Sequence, residues 1–160
     1  MQLPKEDQKM FKFHEHIVRV GAIGFNRDRL WRGLEESVRH PEKLIEHMES
    51  SSILSEELKT GGRYLSRKID FGTVSFHDTV ILRDGESITT IVAAGEHWPA
   101  SIFTLRIEEP SDGDLFVRFI YEEEERPDQV LNPAMLQIRR QAYEAKDKHL
   151  IEVIQELPFV

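Results

Sequence analysis

Arg67-Lys68-Ile69-Asp70-Phe71-Gly72-Thr73-Val74-Ser75-Phe76-His77-Asp78-Thr79-Val80-Ile81-Leu82 carries the pattern from which the architecture follows. On both sides of Phe71-Gly72, apolar and polar residues alternate with the period of a half-buried strand, and Phe71-Gly72 itself has the chemistry of a tight turn. The expectation is an antiparallel hairpin. With a two-residue turn, Ile69 faces Val74, Arg67 faces Phe76 and Leu65 faces Asp78, all on one face of the sheet. Continued through Asp84-Gly85, the same register sets Val80 against Thr89 and Asp78 against Ile91. Arg67 and Asp78 become diagonal neighbours on a face otherwise made of Leu, Ile, Val and Phe.

Working outward, period two holds from about residue 50 to 123. Strands are expected near 52–59, 63–70, 73–82, 87–94, 101–109 and 114–123. Gly61-Gly62, Asp84-Gly85 and the run from Pro110 to Gly113 supply further turns. Before this block, Phe11 to Val20 reads as a first strand. Asn26 is a good N-cap for a helix over 27–39 carrying Leu30, Trp31, Leu34 and Val38 at helical spacing. His40-Pro41 ends that helix, and Pro41 suits the first position of a second short one with Leu44, Ile45 and Met48 inward. After Pro133 a last helix runs to about Glu156. Its apolar stripe is read as Met135, Ala142, Tyr143, Leu150, Val153 and Leu157, with Gln137, Gln141, Glu144, Lys148, Glu152 and Gln155 opposite. The expected fold is α+β: a curved seven-stranded antiparallel sheet around a long C-terminal helix, with two short helices after the first strand. Such a sheet needs a cover for its concave face, and the last helix is the amphipathic element available.

Composition narrows the function. The 160 residues suit one domain, with Met1 to Lys9 as a flexible polar start. A net charge of −8 disfavours a nucleic-acid partner, which needs a positive footprint. Without cysteine there are no disulfides, thiolate metal sites or cysteine nucleophiles. No apolar run spans a bilayer and the first residues lack a signal-peptide core, so a cytoplasmic protein without membrane insertion is expected, as monomer or homodimer.

Several motifs together resemble a known family. Leu30-Trp31-Arg32-Gly33-Leu34 with His40-Pro41 is similar to the opening helices of the AtaL-like family. Similar too are Arg67 to Gly72 before Asp78-Thr79-Val80-Ile81-Leu82, Ile107-Glu108-Glu109-Pro110 with Leu115-Phe116-Val117-Arg118-Phe119, and Gln141-Ala142-Tyr143. That family, named after a protein of acetylaranotin biosynthesis, belongs to the START-like or SRPBCC superfamily of helix-grip proteins. The resemblance implies a helix grip with a hydrophobic-ligand pocket, and it brings no catalytic residues. It covers roughly Phe11 to Leu157, with a shortened link between the first strand and the first helix.

The groove between sheet and last helix is expected to be lined by Phe76, Val80, Ile91, Phe103, Leu105, Val117, Phe119 and Tyr143. Arg67 and Asp78 either bind a polar end of a ligand or form an internal salt bridge, since buried charges need partners. Arg139, Lys146 and His149 fall near the apolar stripe of the last helix; their stems snorkel to a rim, or one of them, Arg139 first, meets a ligand oxygen. Tyr121 and Tyr143 point inward, either packing or donating to a ligand carbonyl. His14 and His16 alternate on a strand and are read as a solvated face, because zinc needs a third and fourth ligand. The acidic run Glu122 to Glu125 is read as solvated, and His97-Trp98 as a loop whose tryptophan closes the core, with a gate at the pocket mouth as the alternative. There is no phosphate-binding glycine loop, nucleophile elbow or HExxH, so neither metal nor cofactor is expected. Three functions stay open: binding of a small apolar or aromatic molecule, a cyclase- or dehydratase-type enzyme, and an interaction module with a filled interior.

Overall fold

The computed structural model describes residues 9–96, 98–125 and 132–158. The expected starting segment, apart from Lys9, and His97 of the expected gate lie outside these residues. The elements are β1 (Met10–Arg19), α1 (Arg27–Arg39), β2 (Ser50–Lys59), β3 (Gly62–Asp70), β4 (Ser75–Arg83), β5 (Ser87–Val92), β6 (Ser101–Ser111), β7 (Asp114–Glu124) and α2 (Pro133–Glu156). The seven strands form one curved antiparallel sheet in the order β1-β7-β6-β5-β4-β3-β2. Consecutive hairpins build six of them, and the last, β7, pairs antiparallel with β1.

Short connections set the register, and they differ from the two-residue turns expected. The β3–β4 link runs over 71–74, with Phe71 N–H donating to Val74 O at 2.9 Å. Asp70 therefore opposes Ser75, and Arg67 stands directly opposite Asp78 rather than diagonal to it. Val74 falls outside the strand and is exposed. The β4–β5 link holds three residues, Asp84, Gly85 and Glu86, so Val80 opposes Thr90 and Thr79 opposes Ile91. One added residue moves a side chain to the other face. Ile91 thus lies on the face opposite Val80, Asp78 and Phe103, which corrects its expected place in the groove.

The first helix forms as its sequence dictates. Asn26 Oδ1 accepts from Arg29 N–H at 2.8 Å, and Leu30, Trp31, Leu34 and Val38 are buried. Beyond His40 the expected second helix shrinks to a single 3-10 turn, Pro41–Lys43. Pro41 fits its first position, but His47 takes a left-handed φ of 68°, which ends any helical continuation.

The last helix crosses the concave face, packing most closely on α1 and β1. Gly33 is what allows this approach. A Cβ there would sit 2.3 Å from Ile154 Cγ2, well inside van der Waals contact. The buried face of α2 is Asp147, Ile151 and Ile154, with Tyr143 and Leu150 beside it. This corrects the expected stripe. At about 100° per residue, Met135, Ala142 and Val153 lie on one flank of that face. Met135 and Ala142 are exposed, and Val153 only half covered. The core between sheet and helices is built on Leu30, Leu34, Leu65, Val80, Leu82, Ile88, Leu105, Val117, Phe119, Ile151 and Ile154.

Candidate ligand groove and its buried carboxyl cluster

Alternation puts Phe103, Leu105 and Ile107 of β6 on the same face as Tyr121, Phe119 and Val117 of β7. The same pairing carries His14, His16 and Val18 of β1 onto that face. His14 and His16 are therefore not on a solvated surface, and the expectation for them is corrected. A bulge between Lys12 and His14 also turns Phe13 inward, where it packs on Tyr121 and Tyr143.

Two layers meet here. Phe103 and Tyr121 lie with ring centroids 4.5 Å apart, and Tyr121 stacks on Tyr143 of α2 at 4.5 Å. Behind this wall is Asp147, only 1% exposed. Tyr121 O–H donates to its Oδ2 at 2.5 Å, and His16 Nε2 lies 2.7 Å from the same oxygen. Burial pushes the Asp147 carboxyl above the usual aspartate range, against the opposing pull of Lys146, Tyr121 and His16. Burial and the neighbouring carboxyl hold the Tyr121 phenol far above its ordinary value, so it stays a donor. Burial also lowers the His14 imidazole; its Nε2 lies 3.4 Å from Glu144 Oε1 without hydrogen-bond geometry.

The aromatic wall is left half-buried. Phe103 and Tyr143 are only partly covered, as is Thr90, which opposes Phe103 across the sheet. Lys146 projects over this wall with Nζ 5.3 Å from the Phe103 ring centre, 5.6 Å from Tyr121 and 5.2 Å from Tyr143. Arg139 stacks over Phe13 at 4.5 Å and pairs with Glu123, which corrects the reading of the whole acidic run as solvated. Its Nη2 also donates to Tyr143 Oη at 3.4 Å.

The remaining expected residues divide by location. Val80, Leu105, Val117 and Phe119 are sealed in the core. Phe76 stacks on Phe71 at 5.8 Å and approaches Trp98 at 6.5 Å, toward the loop end of the sheet. Trp98 donates its indole N–H to Ala93 O at 3.1 Å. Arg67 and Asp78 lie with the C-terminal end of α1, because Arg67 Nη1 donates to Val38 O at 2.7 Å. His149 is exposed. Two surface concavities of about 620 and 640 Å³ lie elsewhere. One runs between the β1–α1 loop and the β6–β7 hairpin, the other between Trp31, Arg63 and the β4–β5 turn. Among the described residues no group of three or more His, Cys, Asp or Glu side chains is placed to hold a metal. No helix among them is long and apolar enough to cross a membrane.

Sequence reasoning missed Asp147 altogether. Its signal was positional: Tyr143, Asp147, Ile151 and Ile154 recur at i, i+4, i+8 and i+11, so a carboxyl stood in the middle of an apolar face.

Residues 23–158 match the model of a family described as AtaL, acetylaranotin biosynthesis cluster protein L. No curated protein matches the chain. Among solved structures it is similar to a START superfamily protein from Mycobacterium smegmatis, with 15% identity, a TM-score of 0.65, and coverage of 93% of this chain and 99% of that one. It is also similar to Ara h 8.0201, with 14% identity, a TM-score of 0.63, and coverage of 93% and 100%. A third is the Zhui aromatase/cyclase from Streptomyces sp. R1128, with 15% identity, a TM-score of 0.60, and coverage of 92% and 94%. At such identities the likeness establishes the helix-grip fold.

Proposed function

The chain belongs to the AtaL family, and on that premise we propose that it binds a small aromatic or hydrophobic molecule in the groove between its sheet and C-terminal helix. One observation carries this reading. Phe103 and Tyr143, which ring the buried Tyr121, are left partly uncovered with polar groups at their edge. Ligand sites combine those two features, an apolar lining and a few placed polar groups. Helix-grip proteins as a class bind small hydrophobic ligands, which supports the same reading.

The test is a fluorescence titration with N-phenyl-1-naphthylamine, a neutral aromatic probe. Saturable binding is expected in the wild type. Thr90→Trp, which places a large ring opposite Phe103, abolishes it in a protein that still melts cooperatively. Absence of wild-type binding, or binding unaffected by Thr90→Trp, overturns the reading.

A second reading, a cyclase- or dehydratase-type enzyme, draws on a different observation. Tyr121, Asp147 and His16 form a buried hydrogen-bonded chain whose phenol and carboxyl both resist ionisation. Such a chain suits proton transfer to a ligand oxygen, and the Zhui structure is named an aromatase/cyclase. Turnover of a poly-β-keto thioester by wild type, lost in Tyr121→Phe with probe binding retained, would establish it. Turnover equal in the two proteins would exclude a role for this chain.

A further inference from the structure

The polar chemistry of the groove is concentrated in Lys146. Its ammonium is hemmed by rings from sheet and helix, and burial lowers its pKa. Yet 53% of its side chain is open to solvent, so the ammonium stands at the solvent-facing edge of the aromatic wall rather than in packed core. No acceptor among the described residues lies within hydrogen-bond distance of its Nζ. Its ion-pair partner is Asp147, with Oδ1 at 3.9 Å. That carboxyl is already engaged through Oδ2 by Tyr121 and His16. The other cation on this flank, Arg139, is committed to Glu123 and Tyr143. Lys146 thus presents N–H donors and positive charge beside the aromatic wall, and its ion-pair partner Asp147 lies beyond hydrogen-bond reach at 3.9 Å. In a chain of net charge −8 this is not part of a generally basic surface.

We propose that Lys146 is the selecting anchor of the groove, and that the ligand class it selects is a planar aromatic carrying an anionic oxygen, such as a phenolate, enolate or carboxylate. This rests on the groove-binding reading above. The aromatic body lies along Phe103 and Tyr143, and the anionic oxygen accepts a hydrogen bond from Nζ. A charge-assisted hydrogen bond at a partly desolvated site is among the stronger polar contacts. Lys146 therefore discriminates between ligands of one shape that differ only in charge.

Two probes isolate that difference. The first, 1-anilinonaphthalene-8-sulfonate, has the skeleton of N-phenyl-1-naphthylamine plus one anionic group. Wild type is expected to bind the sulfonate probe about tenfold more tightly than the neutral one. Lys146→Met removes that preference and leaves the neutral probe within about twofold, while Lys146→Arg retains it. Near-UV circular dichroism checks that each variant keeps native packing. Equal affinities in wild type, or a preference that survives Lys146→Met, overturn the anion selection while leaving groove binding intact. Failure of the neutral probe to bind wild type overturns both readings.

Discussion

Arg67 and Asp78 meet end to end across β3 and β4, with Nε donating to Oδ1 at 2.9 Å and Nη2 to Oδ2 at 2.7 Å. The third arm of the guanidinium reaches Val38 O, tying the end of α1 to the sheet. All three arms are used internally, and Asp78 is 2% exposed. Removing either partner strands a buried charge and is expected to cost about 3–5 kcal/mol, whereas Arg67→Met with Asp78→Leu costs far less. A double-mutant cycle in urea measures the coupling. The neutral-probe affinity of the double variant then separates a structural bridge, which leaves binding unchanged, from a ligand anchor, which does not.

Asp147 sets a pH dependence of stability. Its folded pKa is raised by burial, so the folded protein keeps this proton to a higher pH than the unfolded chain. Between the ordinary aspartate value of about 3.9 and the raised folded value, the folded state binds more protons. Stability contributed by this group therefore falls as pH rises across that window. Asp147→Asn cannot titrate, and its urea stability is expected to lack this decline. Parallel curves for wild type and variant would show that the carboxyl is ionised throughout.

Gly33 and Ile154 are coupled by the closeness of the two helices. Gly33→Ala is expected to destabilise by about 1–3 kcal/mol through overpacking, despite the better helix propensity of alanine. Ile154→Ala removes the clashing methyl, so the double variant should be more stable than the sum of the single losses implies. Strict additivity would mean that the helices shift apart without penalty.

Trp31 is 8% exposed on the stripe that α1 turns to the core. Trp31→Ala is expected to cost about 3–5 kcal/mol. Denaturant melts measure it, and a near-neutral result would place the ring at a surface.

The hairpin around Phe71-Gly72 illustrates how far local pattern reads. Alternation put Leu65, Arg67, Ile69, Phe76, Asp78 and Val80 on one face, and the sheet keeps them there. Turn length was less legible, because Phe71 to Val74 closes through a backbone hydrogen bond that several turn lengths permit. A two-residue difference preserved the face at β4. The odd difference at β5 sent Ile91 to the other side.

The class and order of elements, the first helix with its Asn26 cap, and the inward Arg67–Asp78 pair were legible in the residues alone. Those follow from period, capping and turn chemistry, which act over a few residues. The closure of β1 on β7, which turns His14 and His16 inward, comes from pairing between segments about a hundred residues apart. Packing between distant elements likewise sets the rotation of α2, which buries Asp147 against Tyr121 and leaves Lys146 over the Phe103 ring. The helical period marks an apolar side of α2 only to within a turn's width. Contact with β1 and the close approach at Gly33 select the angle, and both lie more than a hundred residues from Asp147 in the chain.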